Sequence, residues 1–430
     1  MEQLLEMAKK VADRVAVYSK DTVTDGVSFE DGKLKDIESA RQSGVSLMLF
    51  KDGKMGLAYT RNLVDRQELI ANALVSLRAG VEAGYDLPET RPGKQLETFD
   101  PGIEKLTTGK LVDECQRVCS TLLGKVKAQV NSNAGRSITT IRVLNSKGTD
   151  LVTRFSNYGQ YSAALYPGSY ASIMQMTDAK GFVPVPDADL AFVADTYNQS
   201  AREARVKTGK TRVMFLGDSM YCLVWRLDVA TSGKTVYEKV SPVMGKVGEK
   251  LFSDKFSLHD EPQNDELPGA RSFDDEGTPT RNRPIVEAGV LRGFSFDRYY
   301  AWKTGTRPTG NGYRGDVTTR PGPNLAHLAI RPGKHSFARL LKEMDSGIIV
   351  AGAMGAHSGN ILAGEYSIGL SPGLVVENGE IVGHAKDSMV AGNVYETLKE
   401  VVALEDRVRP AYMARSPAIV FDNVSFAMRG

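Results

Sequence analysis

The sequence predicts an α+β protein. It would have an N-terminal α/β part made of two helix–strands–helix halves, followed by a β-rich C-terminal domain of barrel-like or sandwich type. Three observations carry this expectation. Near the start of the chain, apolar residues at helical spacing give way to Asp-Gly turns between apolar runs. The same order recurs between Thr108 and Arg205. Beyond Lys210 helical patterns become scarce, and Gly, Pro and β-branched residues dominate. At 430 residues the chain is too long for one core. The expected divisions are a first α+β subdomain at 1–85, a linker at 86–104, a second α+β subdomain at 105–207 and the β-rich domain at 208–430.

The first helix is expected from Leu4, Ala8, Val11, Ala12 and Val15, which recur on one face. Asp31-Gly32 and Asp52-Gly53 then read as type I′ hairpin turns, where both central residues need positive φ. Asp65 suits the N-cap of a second helix. That helix carries Ile70, Ala73, Leu74 and Leu77 and stops at Gly80. The expected linker holds Pro88, Pro92 and Pro101 and has little periodicity. A helix from about Thr108 turns Leu111, Cys115, Val118 and Leu122 inward. Strands flank Ser146-Lys147-Gly148, and a helix covers Asp187 to Arg205. In the C-terminal part, Val213–Leu216 reads as a strand and Tyr221 to Ala230 as a helix. Glu377-Asn378-Gly379-Glu380 is the strongest hairpin signal. A late helix starts after Asn393, and Ala418–Phe421 and Val424–Ala427 read as two closing strands.

Composition narrows the function classes. Hydrophobic residues make up 41 % and charged residues 25 %, ordinary for a globular protein. A net charge of +2 without any Lys/Arg run argues against nucleic-acid binding. Three cysteines make no disulfide framework, and Cys115 and Cys119 read as core thiols in a reducing compartment. The N-terminal residues Glu2, Glu6, Lys9 and Lys10 do not read as a signal peptide. No apolar run reaches the ~20 residues of a membrane span. The cytoplasm is therefore the expected location.

The most informative stretch runs from Phe273 to Ala301. It holds Phe273, Asp274, Asp275, Glu276, Gly277, Thr278, Pro279 and Thr280, then an apolar run from Ile285 to Phe296, then Asp297, Arg298, Tyr299 and Tyr300. It resembles the modulator-of-gyrase family, the TldD and TldE (PmbA) proteins. Downstream, the segment from Thr309 to Arg314 is similar to the family's Gly-rich arginine loop. Pro321 to Leu325 is similar to its Pro-Asn segment, Gly364 to Gly369 to its Gly-Asp-Phe-Ser element, and Glu377 to Ile381 to its Glu-Asn-Gly-Glu-Ile hairpin.

The resemblance implies paired subunits around an internal chamber, only one of which carries zinc. In the catalytic subunit a His-Glu-x-x-x-His helix supplies two ligands and a base, and a late cysteine supplies a third ligand. Three such donors leave a fourth position for water, which is activated at neutral pH. Counting back from Gly248 to Leu251 places those positions near Val224, Trp225 and Val229. The histidines are His259, His327, His335, His357 and His384, and the last cysteine is Cys222. The resemblance therefore implies a non-catalytic, TldE-like subunit with no catalytic or metal-ligating residues and no cofactor of its own. Zinc is expected on a TldD-like partner, and unfolded peptides and leader peptides are the expected substrates. Self-pairing of the isolated chain is left open.

Asp274, Asp275 and Glu276 have two readings: turn residues capped by backbone donors, or carboxylates repelling one another into raised pKa values. Arg281, Arg298, Arg307 and Arg314, interleaved with aromatic residues including Tyr299, read either as solvated loops or as a surface for a peptide or partner. His357, in a Gly-rich loop, is a candidate cleft residue. Two other functions stay open: an autonomous hydrolase using His357, Ser358 and a carboxylate, and a non-enzymatic regulator that binds a protein or DNA partner.

Overall fold

The computed structural model describes residues 1–93, 95–411 and 414–429. The N-terminal part runs α1 (Glu2–Ala8), β1 (Arg14–Glu30), β2 (Lys33–Lys51), β3 (Lys54–Thr60), α2 (Arg66–Arg78), β4 (Val81–Glu82), α3 (Gly102–Lys105), α4 (Thr108–Leu123), β5 (Gln129–Asn145), β6 (Asp150–Leu165), β7 (Ser172–Ala179) and α5 (Asp187–Gln199). Both halves build one antiparallel sheet, in the order β4-β3-β2-β1-β5-β6-β7. The join is β1 on β5, paired from Ala16↔Asn145 to Phe29↔Ser132. The odd-numbered residues of β1 face the helices: Val15 and Val17 pack with α1 and α2, and Val27 and Phe29 pack with α4 and α5. The even-numbered residues face the C-terminal part, where Tyr18 meets Phe273 and Val317.

Both Asp-Gly hairpins form, with φ of 49° and 68° at Asp31 and Gly32 and 50° and 73° at Asp52 and Gly53. Their strands are far longer than the short apolar runs beside the turns, because exposed polar residues continue both ladders. The first helix ends at Ala8, and Val15 belongs to β1. The apparent helical spacing from Val11 to Val15 comes from a turn leading into a half-buried strand. Asp65 caps α2 through the N–H groups of Gln67 and Glu68, at 2.8 and 3.1 Å. Asp65→Ala is expected to cost about 1 kcal/mol, read as a lower urea midpoint; an unchanged midpoint would contradict the cap.

The segment 86–104 packs on the sheet: the Pro88 carbonyl accepts from Asn145 and Thr149, and Ser156 N donates to the Thr98 carbonyl. Lys94, inside the expected linker, lies outside the described residues. α5 stops at Gln199, short of the expected Arg205. There the Ser200 hydroxyl bonds back to the Thr196 carbonyl and Glu203 bridges to His384.

The C-terminal part continues with β8 (Gly209–Phe215), a 3₁₀ turn (Gly217–Met220), α6 (Tyr221–Ala230), α7 (Gly233–Tyr237), β9 (Leu258–Asp260), β10 (Arg283–Glu287), β11 (Val290–Leu291), α8 (Arg298–Thr304), β12 (Gly312–Tyr313), β13 (Gly322–Pro323) and β14 (Leu328–Ile330). Then come α9 (Phe337–Met344), β15 (Gly347–Val350), β16 (Ala353–Met354), β17 (Glu365–Leu370), β18 (Gly373–Glu377), β19 (Glu380–Ala385), β20 (Ser388–Asn393), α10 (Val394–Thr397), β21 (Val401–Leu404), β22 (Arg409–Ala411), β23 (Ala414–Ser416) and β24 (Ile419–Met428). A nine-stranded sheet runs β16-β17-β20-β24-β8-β15-β18-β19, with β21 also on β24, and curls into a half-barrel. A second sheet runs β11-β10-β9-β14-β23-β22.

Asn378-Gly379 turns the expected hairpin with φ of 53° and 74°. The late helix after Asn393 is one turn only, and Val401 lies in β21. The two expected closing strands are one strand, bulged between Phe421 and Val424 where Asn423 takes φ 56°. All three cysteines are buried free thiols, and burial pushes Cys115 up to about 11 and Cys119 to about 12. Among the described residues no helix is long and apolar enough to cross a membrane.

Candidate functional site

Strand β8 runs in the middle of the half-barrel and delivers the chain through the 3₁₀ turn into α6. Val224, where the resemblance places a ligand histidine, is buried in apolar packing. Trp225 and Val229 hold the other two positions. None of these side chains is a zinc donor. Among the described residues no three His, Cys, Asp or Glu side chains gather as a metal ion requires. The donor set therefore does not fit zinc.

What α6 does carry is Arg226, fully buried. Its guanidinium donates to four carbonyls: Glu365 at 2.8 Å, Cys222 at 2.5 Å, Ala356 at 3.0 Å and Ser358 at 2.8 Å. It pins the loop that carries His357, whose own side chain is exposed. Among the described residues no hydrogen bond joins His357 to Ser358.

In the Asp-Asp-Glu stretch the carboxylates are capped as turn residues, and burial, more than mutual repulsion, raises two of them. One Asp274 oxygen accepts from the Glu276 and Thr278 N–H groups at 3.0 and 2.8 Å, the other from Gly312 N–H at 2.8 Å. Asp275 binds the Arg271 guanidinium at 2.5 Å and the Arg314 N–H at 2.8 Å. Glu276 accepts from the Arg298 N–H at 2.8 Å. These are capped turn carboxylates, and they are also buried. Burial pushes Asp274 up to about 7 against its three backbone donors. Burial and the nearby Asp297 and Asp274 hold Glu276 well above the carboxylate range. Asp297, which caps α8 at Tyr300 N–H, is raised to about 6 by burial.

This cluster forms the seam between the two parts of the protein. Arg298 donates to the Asp86 carbonyl at 2.7 Å. Arg314 donates to Ser46 at 3.1 Å and lies 4.9 Å over the Tyr18 ring. Tyr299 packs edge-on to Tyr85, with ring centroids 6.3 Å apart. The structure thus brings Arg298, Tyr299 and Arg314 together across the seam. Arg281, Arg307 and His357 stand exposed and take no part in it.

The same interface opens further along into a cleft of about 780 Å³. Its floor is the polar face of the N-terminal sheet. One row of that sheet reads Glu38, Gly26, Gly135, Gly159, Asp178 across five strands. At ~4.8 Å between strands the row is ~19 Å long. Polar ridges flank it: Thr24, Ser137 and Asn157 on one side, Ser28, Asn133 and Tyr161 on the other. Leu267, Pro268, His327 and Arg415 of the C-terminal part line the opposite wall, and burial holds His327 below its ordinary value.

None of the three glycines has positive φ, and a Cβ on any of them would meet nothing nearer than 3.3 Å. Gly26 and Gly159 leave ordinary room for a Cβ, whereas one on Gly135 would press on the Asp25 carbonyl, and a strand-interior glycine costs about 0.5–1 kcal/mol. Their effect is a trough open to an approaching backbone. Gly159→Ala is expected to raise stability by about 0.5 kcal/mol, seen as a higher Tm; a fall in Tm would show that the fold itself requires this glycine. Sequence reasoning missed this row because its members lie in different strands and align only through register. It also missed Arg226, because a lone arginine in an apolar helix carries no local sign of burial.

The fold and site define a two-part α+β protein with a half-barrel and a cleft between its two parts. Residues 208–428 match the family described as PmbA/TldA metallopeptidase C-terminal domain, and residues 15–78 match PmbA/TldA metallopeptidase domain 1. The chain belongs to the PmbA/TldD family. It is similar to TldE from Thermococcus kodakarensis, with a TM-score of 0.89, 25 % identity and 99 % of each chain covered. It is 25 % identical to a metalloprotease of Methanothermobacter thermautotrophicus over 88 % of this chain and 85 % of the other. To the PmbA homologue of Haemophilus influenzae it is 29 % identical over 52 % of this chain and 47 % of that one.

Proposed function

We propose that this chain is the non-catalytic, TldE-like subunit of a heteromeric metallopeptidase. In this reading a TldD-like partner supplies the zinc, and this chain shapes the chamber and holds the peptide. The observation that supports the reading is α6: at the positions where the resemblance expects donors and a base it carries Val224, Trp225 and Val229. The likeness to TldE over nearly the whole chain supports it. Unfolded peptides and leader peptides are the substrates proposed, because the glycine trough leaves room for an extended chain and presents few side chains to select among sequences. Arg281, Arg307 and His357, all exposed, are proposed contacts for the peptide or partner. The cytoplasm is the proposed location.

Metal analysis of the purified chain, with casein cleavage measured alone and after addition of a TldD-like subunit, tests the proposal. The expected result is no stoichiometric zinc and cleavage only with the partner. Chelator-sensitive cleavage by the isolated chain would refute it.

A further inference from the structure

Beside the cleft lies a smaller hollow of about 260 Å³. It shares Met176, Thr177, Asp178 and Pro410 with the cleft, and so adjoins the β7 end of the glycine row. Its walls are largely apolar, with Met174, Phe192, Leu216 and Val408 among them. Asp218, on the 3₁₀ turn before α6, also lines it. This carboxyl is only 8 % exposed, and its Oδ1 has no hydrogen-bond partner. Burial pushes Asp218 up to about 7, against the pull of Arg409 and of the backbone N–H groups of Asp218 and Ser219. The other charges around the hollow are matched. Arg407 pairs with Asp189, Arg409 with Glu405, and Asp178 with Arg415. Arg409 also lies over the Phe192 ring. Among the described residues, Asp218 is the charged group of the hollow that forms no ion pair, and its backbone donors leave Oδ1 unmet. A buried carboxylate oxygen without a partner calls for an explanation, and this one faces a hollow.

We infer that this hollow is a subsite for one lysine or arginine side chain of an extended peptide lying in the cleft, with Asp218 as the counter-ion. Apolar walls suit the aliphatic stem of such a residue, and a single buried acid suits its cationic head. Binding of the cation supplies the partner that the Oδ1 of Asp218 lacks. The inference deepens the peptide-holding reading above and rests on it: the trough accepts any backbone, and the hollow selects one basic position.

Isothermal titration calorimetry of the full chain tests it, with capped five-residue alanine peptides carrying a central Arg, Lys, norleucine or Glu. The Arg or Lys peptide is expected to bind at least tenfold more tightly than the norleucine peptide. Asp218→Asn is expected to erase that difference. Equal affinities for Arg, Lys and norleucine would overturn the inference. So would preference for Glu, absence of binding by all four, or a preference that survives Asp218→Asn. The wild-type series needs no variant to fold. Failure here is separable from failure of the subunit reading, which is read from partner-dependent cleavage and zinc content.

Discussion

Arg226→Ala is expected to lower the unfolding free energy by about 3–5 kcal/mol. The substitution removes a fully buried guanidinium whose donors serve the carbonyls of Cys222, Ala356, Ser358 and Glu365. The last three belong to the His357 loop and the start of β17. Each buried carbonyl left unpaired costs about 1–3 kcal/mol. Arg226→Met, which keeps most of the stem, is expected to recover packing but not the carbonyls. Urea unfolding reads the total, and hydrogen exchange reads the loop, which is expected to open first. A loss below about 1 kcal/mol would show that the carbonyls find other partners.

Stability is expected to fall as pH rises from 5.5 to 7.5. Asp218, Asp228 and Asp274 are each pushed by burial up to about 7, and Asp297 to about 6. The same groups in an unfolded chain titrate near 4. Between those values the folded state binds more protons than the unfolded state. Their contribution is therefore whole below the unfolded pKa and is lost as pH rises through about 6 to 7. Each such proton is worth about 1.4 kcal/mol per pH unit. His327, held neutral by burial, works in the opposite direction by at most one proton. The net expectation is a Tm several degrees lower at pH 7.5 than at pH 5.5. A Tm that rises over this window would mean that the buried carboxylates are ionised throughout.

The legible parts of the fold were those governed by local chemistry. Asp31-Gly32, Asp52-Gly53 and Asn378-Gly379 announce positive-φ turns, and all three form. Asp65 and the apolar spacing in α2, α4 and α6 likewise depend on neighbours within a few residues. The length of β1 and β2 was not legible, because residues 33–43 are exposed and carry no alternation to mark a strand. The union of the two N-terminal halves in one sheet depends on β1 meeting β5 about a hundred residues later. At the site, the missing donors of α6 were readable from the identities of Val224, Trp225 and Val229 against the resemblance. The burial of Asp274 and Arg226, the glycine row and the lone acid of Asp218 were not, since each arises from pieces far apart in the chain. In the sequence the interleaved arginines read either as solvated loops or as one contact surface; three-dimensional placement divides them between the seam and the exposed loops.

The position of β24 has a consequence for biogenesis. The strand lies between β8 and β20, with β21 also on it, so the half-barrel receives a central stave from residues 419–428. Until those residues emerge from the ribosome, β8 and β20 present unsatisfied backbone edges to whatever is nearby. The half-barrel can therefore close only once β24 is available, and a chain that lacks it is open to misassembly.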